Sequence, residues 1–333
     1  MSHCVSTLLR DARVIGVALV LASAAVGCSD DDSSWSVAER WTLDGEPSMV
    51  INPIVPTFEI QDEVALDDRM GLMWDRAFQD ATPDSWQDPQ PAVAIATAYC
   101  EQLELAGFDD WRMPTRLELH SMVTHDRCRP AVDEEVFPDT PGEFRSPFWS
   151  ATSHFQGAQG LNQYAIGFHL GSVTYNGDVT SPVHARCLRS TRSGPPPPEV
   201  PLQVAGGMVR DYRTGLEWER LPEAIDVLDW DDDPIIEQAA EYCATLPVGG
   251  GGWRLPTVKE LNTIVDEHTV QPVIDEEVFP DTERHWYLTS TPLGCSEHLG
   301  WYWAVSFGDG ASYPPDPAYT DIAHVRCVRG EQP

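Results

Sequence analysis

Two nearly identical acidic stretches carry the side chains of this sequence that are best suited to bind a metal ion. The first, VDEEVFPDT, covers residues 132–140, and the second, IDEEVFPDT, covers residues 274–282. Carboxylate oxygens are ligands that Ca²⁺ prefers, so both stretches are candidate calcium sites. Their spacing fits no EF-hand loop, and a solvated turn before a proline is the alternative that we favour. The candidate ligands are Glu134, Glu135 and Asp139 in the first stretch and Glu276, Glu277 and Asp281 in the second.

A group of aromatic residues near the end of the chain could bind a carbohydrate. The faces of aromatic rings pack on the apolar side of pyranose rings, and several such residues lie close together in this part of the sequence. Packing in a hydrophobic core is the commoner use of aromatic side chains and is the alternative. The candidates for ligand binding are Tyr287, Trp301, Tyr302 and Trp303.

The familiar sequence patterns of catalytic residues are absent. The sequence contains no HExxH, GxSxG or CxxC pattern and no P-loop lysine motif. His184 and His324 recur beside the last cysteine of two similar segments, where a packed histidine is commoner than a base or a metal ligand. We therefore expect a protein that is not an enzyme and that needs no cofactor, with Ca²⁺ as the one candidate ion.

The acidic stretch is one of at least six sequence blocks that occur twice in the same order. The blocks of the first copy are RMGLMW (69–74), AYC (98–100), WRMPTRLEL (111–119), the acidic stretch, YAIGF (164–168) and HARCLR (184–189). Their counterparts are RTGLEW (213–218), EYC (241–243), WRLPTVKEL (253–261), the second acidic stretch, WAVSF (303–307) and HVRCVR (324–329). A whole domain was therefore duplicated, and the acidic stretch was copied as part of it.

Each copy has the same predicted order of secondary structure. A short strand carries the GLxW block and is followed by a helix, over Ala92–Leu105 in the first copy and Ile235–Leu246 in the second. A second helix begins at a capping box, in TRLE (115–118) and in TVKE (257–260). Short strands separated by glycine and proline follow. The sequence therefore predicts an α+β fold with two tandem copies of a compact domain, each with two helices and short antiparallel strands.

Differences in composition divide the chain into five parts. A length of 333 residues accommodates about two domains. A leader is expected over 1–27, an acidic tether over 28–57, the first repeat over 58–191, a proline-rich linker over 192–202 and the second repeat over 203–331. The consecutive prolines of the linker favour the polyproline II conformation, which makes a stiff spacer.

The N-terminal residues resemble the signal peptide of a bacterial lipoprotein. An apolar run over 14–26 has the length of a signal peptide and is too short to span a bilayer comfortably. It ends in AVGC (25–28), which resembles a lipobox, so Cys28 is expected to carry a lipid. Ser29 follows the cysteine, and in lipoproteins a residue other than aspartate there usually indicates the outer membrane. An ordinary secretory signal with an unmodified Cys28 is the alternative.

The six cysteines that follow Cys28 are expected to be structural, because a secreted chain meets an oxidising compartment. Two cysteines recur in each repeat and predict one disulfide per repeat. The predicted disulfides are Cys100–Cys187 and Cys243–Cys327. Cys128 and Cys295 have no counterpart in the other repeat, so they are either two buried thiols or one bridge between the repeats. We expect two free thiols.

The net charge limits the partners of the protein. The sequence has 21 lysine and arginine residues against 53 aspartate and glutamate residues, and its net charge is −32. Such a surface repels nucleic acids and other polyanions. We expect a glycan or protein ligand, no nucleic acid, and contact with membranes through the N-terminal lipid only.

Taken together, the blocks TGLxW, YC, WRLPTxxEL, WAVxF and VRCVR resemble the Lcl C-terminal domain family, named for a collagen-like adhesin of Legionella. The resemblance covers both copies and is closer in the second, because the first departs at Met70, Met113 and Leu188. The WRLPTxxEL block is also similar to C-type lectin-like domains, a group that includes the formylglycine-generating enzymes. The resemblance implies a compact lectin-like fold, structural cysteine pairs and a place on the bacterial surface.

These features favour a lipid-anchored protein of the bacterial outer membrane that binds a glycan or protein ligand and is not catalytic. One alternative is a structural acidic protein of the cell envelope without a dedicated ligand. Another is an enzyme like the formylglycine-generating enzymes, although the catalytic cysteine arrangement of those enzymes is not matched here.

The lipid anchor can be tested by metabolic labelling. Radiolabelled palmitate should enter the wild-type protein, because lipoprotein processing acylates the cysteine that follows the leader. A Cys28→Ala variant should take up no label. Equal labelling of the two proteins would contradict the prediction.

Overall fold

The computed structural model describes residues 57–81, 90–144, 146–154, 162–175, 184–191, 202–221, 235–269, 271–295, 301–314 and 324–330. Cys28, the predicted leader and most of the predicted tether and linker lie outside these residues. Across the described ranges, no helix is both long and apolar enough to cross a membrane.

The first repeat consists mainly of short strands. Its strands are β1 (Glu59–Gln61), β2 (Val64–Asp67), β3 (Leu72–Asp75), β4 (Gln79–Asp80), β5 (Phe148–His154), β6 (Asn162–Gly167), β7 (Ser172–Tyr175), β8 (His184–Ala185) and β9 (Leu188–Ser190). Its helices are α1 (Gln90–Glu101) and α2 (Arg116–Ser121).

The second repeat has a similar order of elements. Its strands are β10 (Leu202–Ala205), β11 (Met208–Asp211), β12 (Glu217–Glu219), β13 (Trp286–Pro292), β14 (Tyr302–Ser306), β15 (Ser312–Tyr313) and β16 (Val328–Arg329). Its helices are α3 (Ile235–Thr245), a 3-10 turn (Val248–Gly250) and α4 (Val258–Asn262).

Each repeat has its own four-stranded sheet, and the two repeats share a third sheet. The strand orders are β1-β2-β3-β9, β10-β11-β12-β16 and β13-β14-β15-β7-β6-β5-β8-β4. In each small sheet the GLxW strand pairs with the strand that follows the last cysteine, so that Trp74 faces Leu188 and Trp218 faces Val328. Few helices and many antiparallel strands are consistent with the predicted α+β class.

Helix α1 begins and ends earlier than the predicted Ala92–Leu105. It ends at Glu101 because the chain then forms a tight turn, in which Leu105 and Phe108 exchange two backbone hydrogen bonds of 3.1 and 3.0 Å. A backbone amide that is paired within this turn cannot also continue the helical ladder. The helix of the second repeat, α3, agrees closely with its predicted range.

The predicted capping boxes are present at the start of α2 and α4. In the first repeat the amide of Glu118 donates to the Thr115 hydroxyl (3.2 Å), and the Thr115 amide donates to the Glu118 carboxylate (2.8 Å). Arg112 also donates to both oxygens of Glu118, at 2.9 and 2.6 Å. Arg254 and Glu260 make the same paired contact in the second repeat. The WRxPTxxE block therefore fixes the start of a helix with one buried glutamate.

Both predicted disulfides are confirmed, and a third joins the repeats. Cys100–Cys187 and Cys243–Cys327 have Cα–Cα distances of 5.4 and 5.5 Å, within the usual range for a disulfide. The third disulfide, Cys128–Cys295, has a Cα–Cα distance of 6.0 Å. The expectation of two free thiols is therefore wrong.

A glycine explains how the two unmatched cysteines come together. Gly294 donates its backbone amide to the carbonyl of His125 in the first repeat, at 3.2 Å. A Cβ atom at position 294 would lie 2.5 Å from the carbonyl carbon of Asp126, so a side chain there would clash with the backbone. The absence of a side chain allows the two segments to approach closely enough for their cysteines to bond.

Each acidic stretch packs a phenylalanine into the core and leaves its candidate calcium ligands exposed to solvent. Phe137 and Phe279 are fully buried. Each ring lies beneath a buried guanidinium, with Arg186 at 4.8 Å from the first ring centre and Arg326 at 4.9 Å from the second. The six candidate calcium ligands are all exposed.

A second arginine in each repeat holds the backbone of the acidic stretch. Arg76 donates to the carbonyls of Val136 and Glu135, at 2.7 and 3.0 Å. Arg220 makes the same two contacts with Val278 and Glu277, at 3.1 and 3.3 Å. The stretch was therefore copied together with the arginines that position it.

The two repeats meet through the shared sheet and through their second helices. Strand β7 pairs with β15, with Val173 opposite Ser312. Arg116, which is fully buried, donates to the side-chain oxygen of Asn262 at 2.6 Å and to Glu267 at 2.8 Å. A buried guanidinium requires such acceptors, so α2 of the first repeat depends on the second repeat.

The role of the acidic stretch can be tested by comparing two changes in the free energy of unfolding, one from removing its buried ring and one from neutralising its exposed acids. Phe279→Ala should lower the free energy of unfolding by roughly 3–5 kcal/mol, because it leaves a cavity in the core. Glu276→Gln with Glu277→Gln should change it by less than about 0.5 kcal/mol, because both acids are exposed.

Thermal unfolding of both variants should be measured with millimolar Ca²⁺ and with a chelator. A calcium site predicts the reverse order, since the ion stabilises only the state that binds it. A large stabilisation of the wild type by Ca²⁺ that is lost in the double glutamine variant would contradict the structural interpretation.

Candidate functional site

A pocket of about 470 Å³ opens to solvent on the first repeat. Four separate segments form its wall: the turn between β1 and β2, the end of β3, the end of α1 with the residues after it, and the acidic stretch. The lining residues are Asp62, Glu63, Asp75, Arg76, Ala77, Phe78, Tyr99, Leu103, Leu105, Pro138 and Asp139.

The floor of the pocket is apolar and partly exposed. Phe78 packs edge-on against Phe148 and His184, with ring centres 5.7 and 4.9 Å apart. Leu103 and Leu105 pack against the hydrophobic cluster that surrounds the Cys100–Cys187 disulfide. Each of these side chains lies at the edge of a core, so its inner part is buried and its outer part faces the pocket.

The rim of the pocket is acidic. Asp62, Glu63 and Asp139 are exposed, whereas Asp75 lies deeper and is only 3% exposed. Arg76 is the single basic residue of the lining. Its guanidinium donates to three backbone carbonyls, the two of the acidic stretch and that of Asp62 at 2.6 Å.

Asp75 and Tyr99 form a hydrogen-bonded pair in the pocket wall. Burial raises the pKa of Asp75, and a hydrogen bond of 2.9 Å from the amide of Ala77 acts in the opposite direction. Burial also raises the pKa of Tyr99, and the neighbouring carboxylate raises it further. The pair therefore offers a carboxylate and a phenol in a fixed position.

The second repeat retains the pair but only one of the three exposed rim acids. Tyr242 donates to Glu219 at 2.5 Å, in the position of Tyr99 and Asp75. Gly206 and Gly207 stand where the first repeat has Asp62 and Glu63, since Val64 and Met208 pair with Asp75 and Glu219 in the two sheets. Two of the three exposed rim acids, Asp62 and Glu63, are thus specific to the first repeat, whereas the third, Asp139, has its counterpart in Asp281. Sequence reasoning missed this site, although the DE-to-GG difference between otherwise similar copies was its signal.

The predicted aromatic face is not assembled. Tyr287 and Trp303 are buried in the core of the second repeat, whereas Trp301 and Tyr302 are partly exposed. The Tyr287 ring packs edge-on against Phe307 at 4.9 Å. Side chains alternate between the two faces of a strand, so neighbouring aromatic residues in the sequence point to different sides of the sheet.

The acidic stretches are not gathered into a cation cage. Within the described ranges, no group of three or more histidine, cysteine, aspartate or glutamate side chains is arranged to hold a metal ion. Ca²⁺ binding stays a prediction, which the chelator experiment above tests.

The recurrent histidines lie beside aromatic rings. His184 is buried, lies 3.0 Å from the hydroxyl of Ser146 through its Nε2 and packs against Phe78 and Phe148. Burial lowers its pKa. His324 stacks on Tyr287, with ring centres 5.2 Å apart. Both residues are packed histidines, as the sequence favoured.

The only lysine of the chain, Lys259, is buried between the repeats. Its ammonium group donates to the backbone carbonyl of Ser121 at 2.9 Å. Burial lowers the pKa of Lys259 to about 7, although Asp67 and Asp126 act in the opposite direction. Burial also holds the pKa of His120 well below its usual value, so that imidazole is neutral. This cluster belongs to the contact between the repeats.

The fold and the comparisons agree on the class of the protein. The chain contains two tandem disulfide-bonded repeats, and residues 63–189 and 207–329 each match the family model of the Lcl C-terminal domain. The chain therefore belongs to the Lcl C-terminal domain family. Both matches lie within the repeats that the sequence predicted. A comparison with curated proteins found no match.

The buried ammonium group predicts a dependence of stability on pH. The pKa of Lys259 is about 7 in the folded protein and 10.5 for an ordinary lysine. Between these values the unfolded chain binds more protons than the folded protein, so the free energy of unfolding should rise with pH. The slope from this residue should be at most about 1.4 kcal/mol per pH unit.

Urea denaturation at about pH 7.5 and about pH 9.5 measures this slope. A Lys259→Met variant should lose the contribution, and no other lysine can replace it. The variant also loses the hydrogen bond to Ser121, which lowers the free energy of unfolding at both pH values. Comparing the slopes with pH, and not the free energies themselves, removes this effect. Equal slopes would contradict the assignment of a buried, titrating ammonium group.

Proposed function

We propose that the protein is a non-catalytic binding protein of the bacterial outer membrane, held there by a lipid on Cys28. In this proposal the pocket of the first repeat recognises a protein or glycan ligand. The observation that carries the proposal is the pocket itself, with its apolar floor of Phe78, Leu103 and Leu105 under a rim of carboxylates. Binding sites commonly combine an apolar surface with a few fixed polar groups.

The Asp75–Tyr99 pair supports the proposal because both groups are held before any ligand arrives. A site with prearranged polar groups loses less conformational entropy on binding than a flexible one. The surrounding disulfide and the buried arginines restrict the same wall. The family resemblance adds the proposal that each repeat is C-type lectin-like, which would make a glycan one of the two ligand classes.

The alternative is a structural acidic envelope protein without a dedicated ligand. The net charge of −32 favours this alternative, since a highly charged surface serves solubility and spacing by itself. The two functions differ in one respect that can be measured. A dedicated ligand requires the pocket, whereas a spacing role requires only charge.

Filling the pocket tests the proposal. Ala77 is exposed in the pocket wall, and Leu221 is the exposed residue at the equivalent position of the second repeat. Ala77→Trp should obstruct the pocket, and Leu221→Trp is the matched control with the same new side chain. The mature wild-type protein in detergent and both variants should be applied to printed glycan and peptide arrays.

We expect the wild type to bind members of at least one array. Ala77→Trp should weaken that binding about tenfold, which corresponds to about 1.4 kcal/mol, and Leu221→Trp should leave it unchanged. Blank arrays, or equal binding by all three proteins, would overturn the proposal in favour of the structural alternative.

A further inference from the structure

We infer that the pocket of the first repeat receives an arginine or lysine side chain from a basic segment of a protein partner. This inference rests on the proposed function and narrows it to one ligand class. Three features of the pocket carry it: the charge of the lining, the apolar floor below that charge, and the difference between the two repeats.

The charge of the lining calls for a cation. Four carboxylate side chains line the pocket against one guanidinium. That guanidinium is held by three backbone carbonyls, and its single charge offsets at most one of the four carboxylates. Three of the acids, Asp62, Glu63 and Asp139, are exposed where an approaching ligand would first meet them. Complementary charge accelerates association and excludes partners of the same sign.

The floor suits the stem of a basic side chain. Lysine and arginine lay an aliphatic stem along apolar surface while their charged ends stay near polar groups. Leu103 and Leu105 offer such a surface, and Phe78 and Tyr99 add aromatic rings on which a guanidinium can stack. An arginine that enters the pocket can therefore place its stem on the floor and its head among the rim acids.

A bare metal ion fits the same residues less well. An ion requires several oxygen ligands at about 2.3–2.6 Å around one point. Among the described residues, no three acidic, histidine or cysteine side chains converge in this way. A volume of about 470 Å³ accommodates an organic side chain and the water around it.

The second repeat supplies an internal comparison. It keeps Tyr242, Glu219 and Arg220 but has Gly206 and Gly207 in place of Asp62 and Glu63. Residues that maintain the fold are therefore shared, whereas two of the four negative charges that would select a cation are present in the first copy alone. The inference accordingly predicts one binding site per chain.

The test uses a fluorescein-labelled peptide, Gly-Gly-Arg-Leu-Arg-Gly-Gly, and the same peptide with citrulline in place of arginine. Citrulline keeps the shape of the side chain and removes its charge. Binding is measured by fluorescence anisotropy at about 0.15 M salt. At this ionic strength the Debye length is about 8 Å, so exposed charges far from the pocket contribute little to the affinity. The wild type should bind the arginine peptide about tenfold more tightly than the citrulline peptide, with one peptide per chain.

Two triple variants separate the pocket from the general acidity of the protein. Asp62→Asn with Glu63→Gln and Asp139→Asn removes three negative charges from the rim of the pocket. Glu276→Gln with Glu277→Gln and Asp281→Asn removes three exposed negative charges from the second repeat. The first variant should bind the arginine peptide about tenfold more weakly than the wild type, and the second within about twofold. Ala77→Trp should also weaken binding.

Equal affinity for the two peptides, or equal weakening in the two triple variants, would overturn the inference. Thermal unfolding of each variant verifies that the fold is kept. If the arginine peptide does not bind while Ala77→Trp weakens binding to a neutral glycan, the proposed function stands and the inference fails. If neither the arrays nor the arginine peptide bind, both fail.

Discussion

Each repeat depends on one buried guanidinium that must find acceptors inside the protein. Arg186 donates to the carbonyls of Asp75 and Arg76, at 3.1 and 2.5 Å, and to the hydroxyl of Thr140 at 2.9 Å. Burial lowers its pKa to about 10, and Arg326 makes the equivalent contacts in the second repeat. A buried charge without acceptors is strongly destabilising. The guanidinium therefore ties the end of β3 and the acidic stretch to the segment that carries the last cysteine of the repeat.

The sequence predicts those parts of the fold that depend on local or repeated signals. The capping boxes follow from residues three apart, and the repeat disulfides and the buried phenylalanines follow from recurrence at equivalent positions. The two cysteines of the Cys128–Cys295 bridge do not recur in the other repeat, so the repeat pattern does not predict their pairing. The bridge depends on a close approach of two backbone segments at Gly294. The pocket draws on four segments that are distant in sequence, so only the three-dimensional fold brings its lining together.

The duplicated sequence has become one unit because the copies diverged where they meet. The shared sheet pairs equivalent positions, Val173 with Ser312. The polar contacts, in contrast, come from positions that differ between the copies. Arg116 of the first repeat contacts the second repeat, and its counterpart there is Val258. Lys259 of the second repeat contacts the first repeat, and its counterpart there is Leu117. Each copy supplies a cation for which the other supplies the acceptor. This asymmetry favours association of the two halves over association of like copies.

The bridge between the repeats also changes the covalent topology of the chain. Cys128 and Cys295 lie on opposite sides of the proline-rich segment 192–202, so the repeats are connected twice, once through the backbone and once through sulfur. A protease that cut anywhere within that segment would produce two polypeptides that still migrate as one particle until the disulfide is reduced. A nicked molecule would therefore keep its two repeats together for as long as the disulfide stays oxidised.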